Sequence, residues 1–154
     1  MKSFFAVLFA VAILVALGYF GGNKLAADSR VMTVRSSLDN NELAPCPPEP
    51  NCVNSDSMPT DSHFIVPISD TDGTRWAKLV ATVGKMEGAQ LVLSTDNYAY
   101  FTFTTKLFGF MNDVEFYRRP AAGLIAIRSA SRVGMLDLGT NRRRLEDIRV
   151  ALGL

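Results

Sequence analysis

The chain has 154 residues, enough for one ordinary domain, and 48% of them are hydrophobic, which excludes a globally disordered chain. A formal net charge of +1 excludes a polyelectrolyte that binds nucleic acid in bulk. Two Cys and one His exclude a multi-cysteine zinc module and a disulfide-dense scaffold. We therefore expect no metal, no cofactor and no nucleic-acid partner.

An apolar, charge-free segment opens the chain. From Ser3 to Phe20 it is about 27 Å long at ~1.5 Å per helical residue, close to the roughly 30 Å hydrocarbon core of a bilayer. With Lys2 before it, this segment predicts a transmembrane anchor over residues 1–22 with its N-terminus in the cytoplasm. The predicted location is the cytoplasmic (inner) membrane, single-pass, with the domain on the extracytoplasmic, periplasmic side.

Two alternatives to this anchor stay open. A secretory signal peptide that is removed has a similar pattern, and residues 16–18 form a small-x-small site inside the apolar segment. The orientation is open as well, because Lys24, Arg30 and Arg35 follow the segment and compete with Lys2 under the positive-inside bias.

The two cysteines carry information about the compartment. Cys46 and Cys52 frame a loop with three prolines, which lower the entropy lost when the loop closes. A disulfide in an oxidising compartment suits this pattern and agrees with an extracytoplasmic domain. Two reduced thiols, or a metal or redox site, are the alternatives, although C-x5-C is not a tight metal spacing.

A linker over residues 23–43 is predicted to lead into a domain over residues 44–154. The first apolar stretch of the domain is His63 to Ile68. Pro67 cannot donate a hydrogen bond to a sheet, so this stretch predicts an edge strand or an extended loop.

Two amphipathic helices are predicted in the domain. Apolar residues at helical spacing run from Trp76 to Met86, after capping residues at 70–72 and before a stop at Gly88. The second helix covers residues 140–152, with Thr140 as its cap.

Alternating or apolar strands are predicted between the helices, at residues 90–94, 98–104, 113–119 and 124–131. The last two form a hairpin around the turn at 120–123. The fold class is α+β: an N-terminal transmembrane helix followed by a small two-layer sandwich, an antiparallel sheet with two helices on one face.

The alternating pattern predicts the register of the hairpin. If Arg119 pairs with Leu124, Glu115 lies opposite Arg128. The polar face then carries Asp113 and Glu115, and the opposite face gathers the apolar residues Val114, Phe116, Ile125 and Ile127.

A cluster of charges follows the hairpin. Three Arg at 142–144 occupy the first turn of the second helix, where each opposes the helix dipole by a few tenths to ~1 kcal/mol. Internal carboxylates are the favoured compensation, and an anionic ligand or a lipid headgroup is the alternative. The candidate ligand-binding residues are Arg128, Arg132, Arg142, Asp113, Glu115, Asp137 and Asn141.

Catalysis has little support in the sequence, and no catalytic residue is predicted. A Ser-His-Asp arrangement would have to use His63, and no nucleophile elbow surrounds any Ser. Alternate carboxylates such as Asp113 and Glu115 on a strand beside Arg are more often structural than an acid/base pair.

Three segments in order resemble domain-of-unknown-function family 1499: residues 45–55, 108–116 and 127–144. Asn54 and Asn112 stand where Ser and Asp are common in that family. The resemblance implies a bacterial or plastid-type protein, often membrane-linked, and it implies no activity. It also implies that the acidic and Arg residues of the hairpin region form one unit.

The leading hypothesis is a non-enzymatic, membrane-anchored envelope protein. Its domain would bind an unknown protein or an anionic lipid through the acidic/Arg cluster and the exposed aromatics at residues 108–110. The alternative is an anion- or small-ligand-binding domain that uses the Arg cluster, and a hydrolase or thiol-redox protein is less favoured.

Overall fold

The structure, a computed structural model, describes residues 2–31 and 41–154. Helix α1 (Lys2–Val31) opens the chain, and its side chains from Phe4 to Gly21 are exposed. By length and composition α1 is apolar enough to cross a membrane. It continues through the first part of the predicted linker, and residues 32–40 of that linker lie outside the described residues.

The rest of the described chain forms the head, an antiparallel sheet with two helices, which confirms the predicted α+β class. Its strands run in the order β1-β6-β5-β4-β3, and β2 pairs with β6 beside β1. The elements are β1 (Cys52–Asn54), β2 (Ile68–Ser69), α2 (Arg75–Val83), β3 (Ala89–Ser94), β4 (Tyr98–Thr104), β5 (Met111–Arg119), β6 (Leu124–Ser131) and α3 (Thr140–Leu152).

The hairpin of β5 and β6 has the predicted register. Arg119 pairs with Leu124, and Glu115 lies directly opposite Arg128. A short 3-10 turn, Pro120–Ala122, joins the two strands. The period-2 alternation therefore places the charged side chains on one face of the sheet and the apolar ones on the other.

The hydrophobic core lies between the sheet and helices α2 and α3. Phe101 and Phe116, both fully buried, meet edge to face with ring centroids 6.1 Å apart. Leu79 from α2 and Ile148 from α3, each 0% exposed, pack in the same cluster. This layer fixes which face of β5 and β6 is turned away from the helices.

Several element boundaries differ from the sequence predictions. Of the stretch 63–68, only Ile68 joins a strand, while Phe64 makes a single bridge to Asn54. Helix α2 ends at Val83, earlier than predicted. Gly88 instead lies just before β3 with φ +78°, where a Cβ would come within 2.5 Å of the Thr104 carbonyl oxygen.

Candidate functional site

The disulfide between Cys46 and Cys52 is present, with the Cα atoms 5.6 Å apart. The reduced-thiol and metal alternatives therefore do not describe this structure. Cys52 belongs to β1 and pairs with Ala130 of β6. The bond thus ties the proline-rich loop to the edge of the sheet.

The face of the sheet turned away from α2 and α3 holds a buried ion pair. Arg128 Nη1 donates to Glu115 Oε1 at 2.8 Å, and the Tyr98 hydroxyl donates to Glu115 Oε2 at 2.6 Å. Glu115 is 0% exposed, and this burial raises the pKa of its carboxyl group above the usual value. The Nε of Arg128 is buried and has no hydrogen-bond partner among the described residues.

A second ion pair lies beside the first. Arg132 Nε donates to both carboxylate oxygens of Asp113, at 2.9 and 3.2 Å. The Tyr100 hydroxyl donates to Asp113 Oδ1 at 2.6 Å and accepts from Arg132 Nη2 at 2.9 Å. Burial and the contact with Asp113 raise the pKa of Tyr100 above the usual value.

The same face receives the C-terminal turns of α1. Arg132 Nη1 donates to the Ser29 carbonyl at 3.2 Å, and the Met111 main-chain nitrogen donates to the Ser29 hydroxyl at 2.9 Å. A Cβ at Gly22 would lie 3.0 Å from the Phe108 ring. Phe108 and Phe110 are half-buried, so the prediction of freely exposed aromatics in this loop was wrong.

The N-terminus of α3 is capped differently from the prediction. The N-cap is Gly139, with φ 75°, and not Thr140. Asp137 accepts hydrogen bonds from the main-chain nitrogens of Gly139 and Asn141, both at 2.9 Å. The negative charge of this carboxylate therefore offsets the unfavourable interaction of the Arg side chains with the helix dipole, and its oxygens bind main-chain N–H groups that have no partner within the helix. The carboxylate partner of Arg128 is Glu115, which lies on the opposite face of the sheet from α3.

Asn141 is fully buried and joins three parts of the head. Its Nδ2 donates to the Asn51 carbonyl at 2.8 Å and to Ser131 Oγ at 3.0 Å. Its Oδ1 accepts from Ser129 Oγ at 2.7 Å and from Arg144 Nη1 at 2.6 Å. These contacts hold α3 against β6 and the loop before β1.

Two arginines of α3 make structural contacts. Arg142 Nη2 donates to the carbonyls of Ser62 and Phe64, at 3.0 and 2.8 Å. The Arg144 guanidinium lies 5.1 Å from the centre of the Phe103 ring. Burial lowers the pKa of Arg144 to about 10. Arg144 was not predicted as a site residue, because its position among three consecutive arginines gives no sign of burial.

The seven candidate residues thus divide into two groups. One group holds Arg128, Arg132, Asp113 and Glu115 on the face that α1 contacts. The other holds Asp137, Asn141 and Arg142 around the start of α3 on the opposite face. The strand alternation predicted that Asp113, Glu115 and Arg128 share a face, but it did not predict that Arg132, just after β6, joins them.

A cavity of about 480 Å³ lies between α1, the β4–β5 loop and the β6–α3 loop, and Asp137 and Thr140 at the start of α3 also line it. Leu25, Phe108 and Leu136 line it. This cavity was not predicted, because its walls come from three segments that are distant in the sequence. The apolar residues Met135, Leu136 and Leu138, in a loop between two glycines, were the available sequence signal for an apolar site here.

Comparison with known proteins adds the family. Residues 42–152 match the family model described as "Protein of unknown function (DUF1499)". The chain belongs to the DUF1499 family. Neither a curated protein nor a solved structure matches this DUF1499 chain. The matched region contains both ion pairs, the disulfide and the α3 cap, and it begins after α1.

Proposed function

We propose that this DUF1499 protein is a non-enzymatic interaction module held at the cytoplasmic membrane by α1, which stays attached to the mature protein. One observation carries the proposal: α1 runs without a break from its exposed apolar part into contact with the head. Ala26 and Ser29 in its last turns are 2% and 0% exposed. One helix thus contains both the apolar segment and the turns that pack against the head.

The contacts of α1 favour an anchor over a removed signal peptide. Cleavage near residue 22 would leave a helix of residues 23–31, and isolated helices shorter than about 12 residues are marginal in water. Ser29 would then be held against Met111 and Arg132 by a helix with little stability of its own. Tyr19 also fits the aromatic belt at the end of a membrane span.

The disulfide supports the extracytoplasmic side for the head. Cys46 and Cys52 are bonded, and such bonds persist in oxidising compartments. Cys52 is 3% exposed, which shields it from attack by a second thiol and favours a structural role over a redox role.

Fractionation and labelling test the anchor and its orientation. Carbonate-washed membranes should retain the protein, and the mass of the mature chain should include residues 4–21. Release by carbonate, or a mature chain that begins after Gly22, would overturn the anchor. With Cys46→Ser and Cys52→Ser in place, Ala121→Cys in the exposed hairpin turn should react with a membrane-impermeant maleimide in intact cells. Reaction only after lysis would overturn the orientation.

The ion pairs favour an interaction module over an anion site. The Arg128 and Arg132 side chains are 10% and 7% exposed, and each is paired with a carboxylate. Anion sites need cations that face the ligand, whereas these guanidinium groups are turned toward Glu115 and Asp113.

Anion binding is kept as a second candidate because the buried Nε of Arg128 has no hydrogen-bond partner among the described residues. Thermal unfolding with and without inorganic phosphate separates the two functions. The interaction module predicts no shift of the midpoint. A midpoint that rises with phosphate, and no longer does so in Arg128→Lys, would favour the anion site.

A further inference from the structure

The cavity beside α1 has the size and walls of a binding site. Its volume is about 480 Å³, within the roughly 300–1,000 Å³ of typical ligand pockets. Its lining is largely apolar, with Leu25 from α1, Phe108 and Phe110 from the β4–β5 loop, and Val133 from the β6–α3 loop. An apolar ligand is the chemistry that such walls select.

Exposed aliphatic side chains surround the cavity. Leu107 is 83% exposed on one side, and Leu136 and Leu138 are 68% and 85% exposed on the other. Met135, next to them, is 76% exposed. A group of large apolar side chains this exposed on a folded head marks an interaction surface.

The position of α1 indicates which environment this surface contacts. The exposed part of α1 from Phe4 to Gly21 is about 27 Å long at ~1.5 Å per residue, which matches the hydrocarbon core of a bilayer. The hydrocarbon therefore ends near Gly22, where the Phe108 ring packs against the helix. Leu25 lies less than one helical turn farther on, so the cavity is level with the lipid headgroups.

We propose that this cavity takes an acyl chain of a membrane lipid from the leaflet that faces the head. Leu107, Leu136 and Leu138 contact that leaflet and form the entrance. The proposal rests on the proposed function, because it requires α1 to remain as the anchor. It names the partner of the module as a lipid chain, bound at a site separate from the Arg128 and Arg132 ion pairs.

The test uses full-length protein in phosphatidylcholine nanodiscs with a trace of lipid that carries a diazirine at the end of one acyl chain. Chain ends lie near the bilayer midplane, so they reach the head only by leaving the hydrocarbon core. After irradiation and trypsin, label is expected on the peptide of residues 133–142 and on that of residues 107–118. The apolar peptide of residues 3–24 reports on the anchor in the same sample.

The label pattern separates the two proposals. Label on residues 3–24 without label on the head overturns the cavity proposal and leaves the anchor in place. Absence of label from residues 3–24 overturns the anchor. Label on the head only when the diazirine is next to the ester shows that the entrance touches the bilayer without admitting a chain, which also overturns the cavity proposal.

Two matched variants test whether labelling of the head depends on the entrance to the cavity. Leu136→Asp places a carboxylate at the entrance and should reduce head labelling by about tenfold, because a charge there opposes passage of an apolar chain. Val150→Asp, at a residue 74% exposed on α3, is the control and should leave labelling unchanged. Equal labelling in the two variants would overturn the proposal. Unchanged Trp76 fluorescence in both shows that the head remains folded.

A protein segment is the other occupant that the test detects. A photoreactive phenylalanine derivative at Leu138 should cross-link to lipid in native membranes. Cross-links to a protein from this position, together with no head labelling by the chain-end diazirine, would overturn the lipid proposal.

Discussion

The main-chain nitrogen of Met111 donates a hydrogen bond to the hydroxyl of Ser29, 2.9 Å away. Met111 is the first residue of β5, and Ser29 lies in the last turns of α1. The Ser29 hydroxyl also donates to the Ala26 carbonyl at 2.6 Å. The apolar helix is therefore hydrogen-bonded to the main chain of the sheet as well as packed against it.

Ser29→Ala should loosen this attachment. The variant leaves the partly buried N–H of Met111 without its acceptor, which costs about 1–3 kcal/mol. Trypsin cleavage after Arg30 in nanodisc-embedded protein should accelerate by about tenfold as α1 leaves the head more often. Ser69→Ala, at an exposed position, is the control and should be cleaved like the wild type. An unchanged rate in Ser29→Ala would show that packing alone holds α1.

Glu115→Gln should change how stability depends on pH. Burial raises the pKa of Glu115 in the folded protein. At a pH between the usual glutamate pKa and this raised pKa, the folded state therefore holds a proton that the unfolded state has released. Wild-type stability attributable to this group therefore falls as pH rises from the usual glutamate pKa through the folded one. The midpoint of Glu115→Gln relative to that of the wild type should rise across this window.

Thermal midpoints measured from about pH 4 to 8 check this sign. Glu87→Gln is the control, because the Glu87 side chain is 72% exposed and its pair with Lys106 contributes little. Parallel profiles for wild type and Glu115→Gln would contradict the raised pKa.

Asn141→Ala should be among the most damaging polar substitutions in the head. It removes the acceptor of Ser129 and Arg144 and the donor to the Asn51 carbonyl, all at a fully buried position. A loss of about 3 kcal/mol is expected, the upper part of the usual range for single substitutions. Unfolding by guanidinium, followed by Trp76 fluorescence, measures it. Exposed Asn97→Ala should stay within about 0.5 kcal/mol of wild type, and an equal loss in both variants would contradict the assigned role.

Loss of the disulfide should destabilise the head moderately. Cys46 and Cys52 are six positions apart, and closing so short a loop contributes about 2 kcal/mol in the chain-entropy description. The Cys46→Ser, Cys52→Ser double variant should melt below the oxidised wild type. Its melting temperature should not respond to dithiothreitol, whereas that of the wild type should fall. A wild-type melting temperature that also does not change with dithiothreitol would contradict a stabilising role of the disulfide.

Strand alternation was enough to predict that Glu115 lies opposite Arg128. Both residues lie on alternating strands joined by a short turn, so local pattern fixed their register and their shared face. The contacts of Arg142 with the Ser62 and Phe64 carbonyls could not be predicted in this way, because they depend on how α3 packs on the sheet. The burial of Leu145 and Ile148 in the core sets that packing.

The contact of α1 with the head was also beyond the sequence. The anchor was predicted to end at residue 22 and to be followed by a linker over residues 23–43. In the structure the small size of Gly22 admits the Phe108 ring, and tertiary contact outweighs the weak helix preference of glycine. The three-residue strand β1 was missed because it stands among prolines and asparagines that indicate a loop.

The unbroken course of α1 has a consequence for how the head is presented. No hinge separates the apolar turns of α1 from the turns that contact β5, because one helix contains both. With α1 in a bilayer, the angle of the head to the membrane plane follows the tilt of the helix. A thinner or thicker bilayer, which changes that tilt, would rotate the whole head with it.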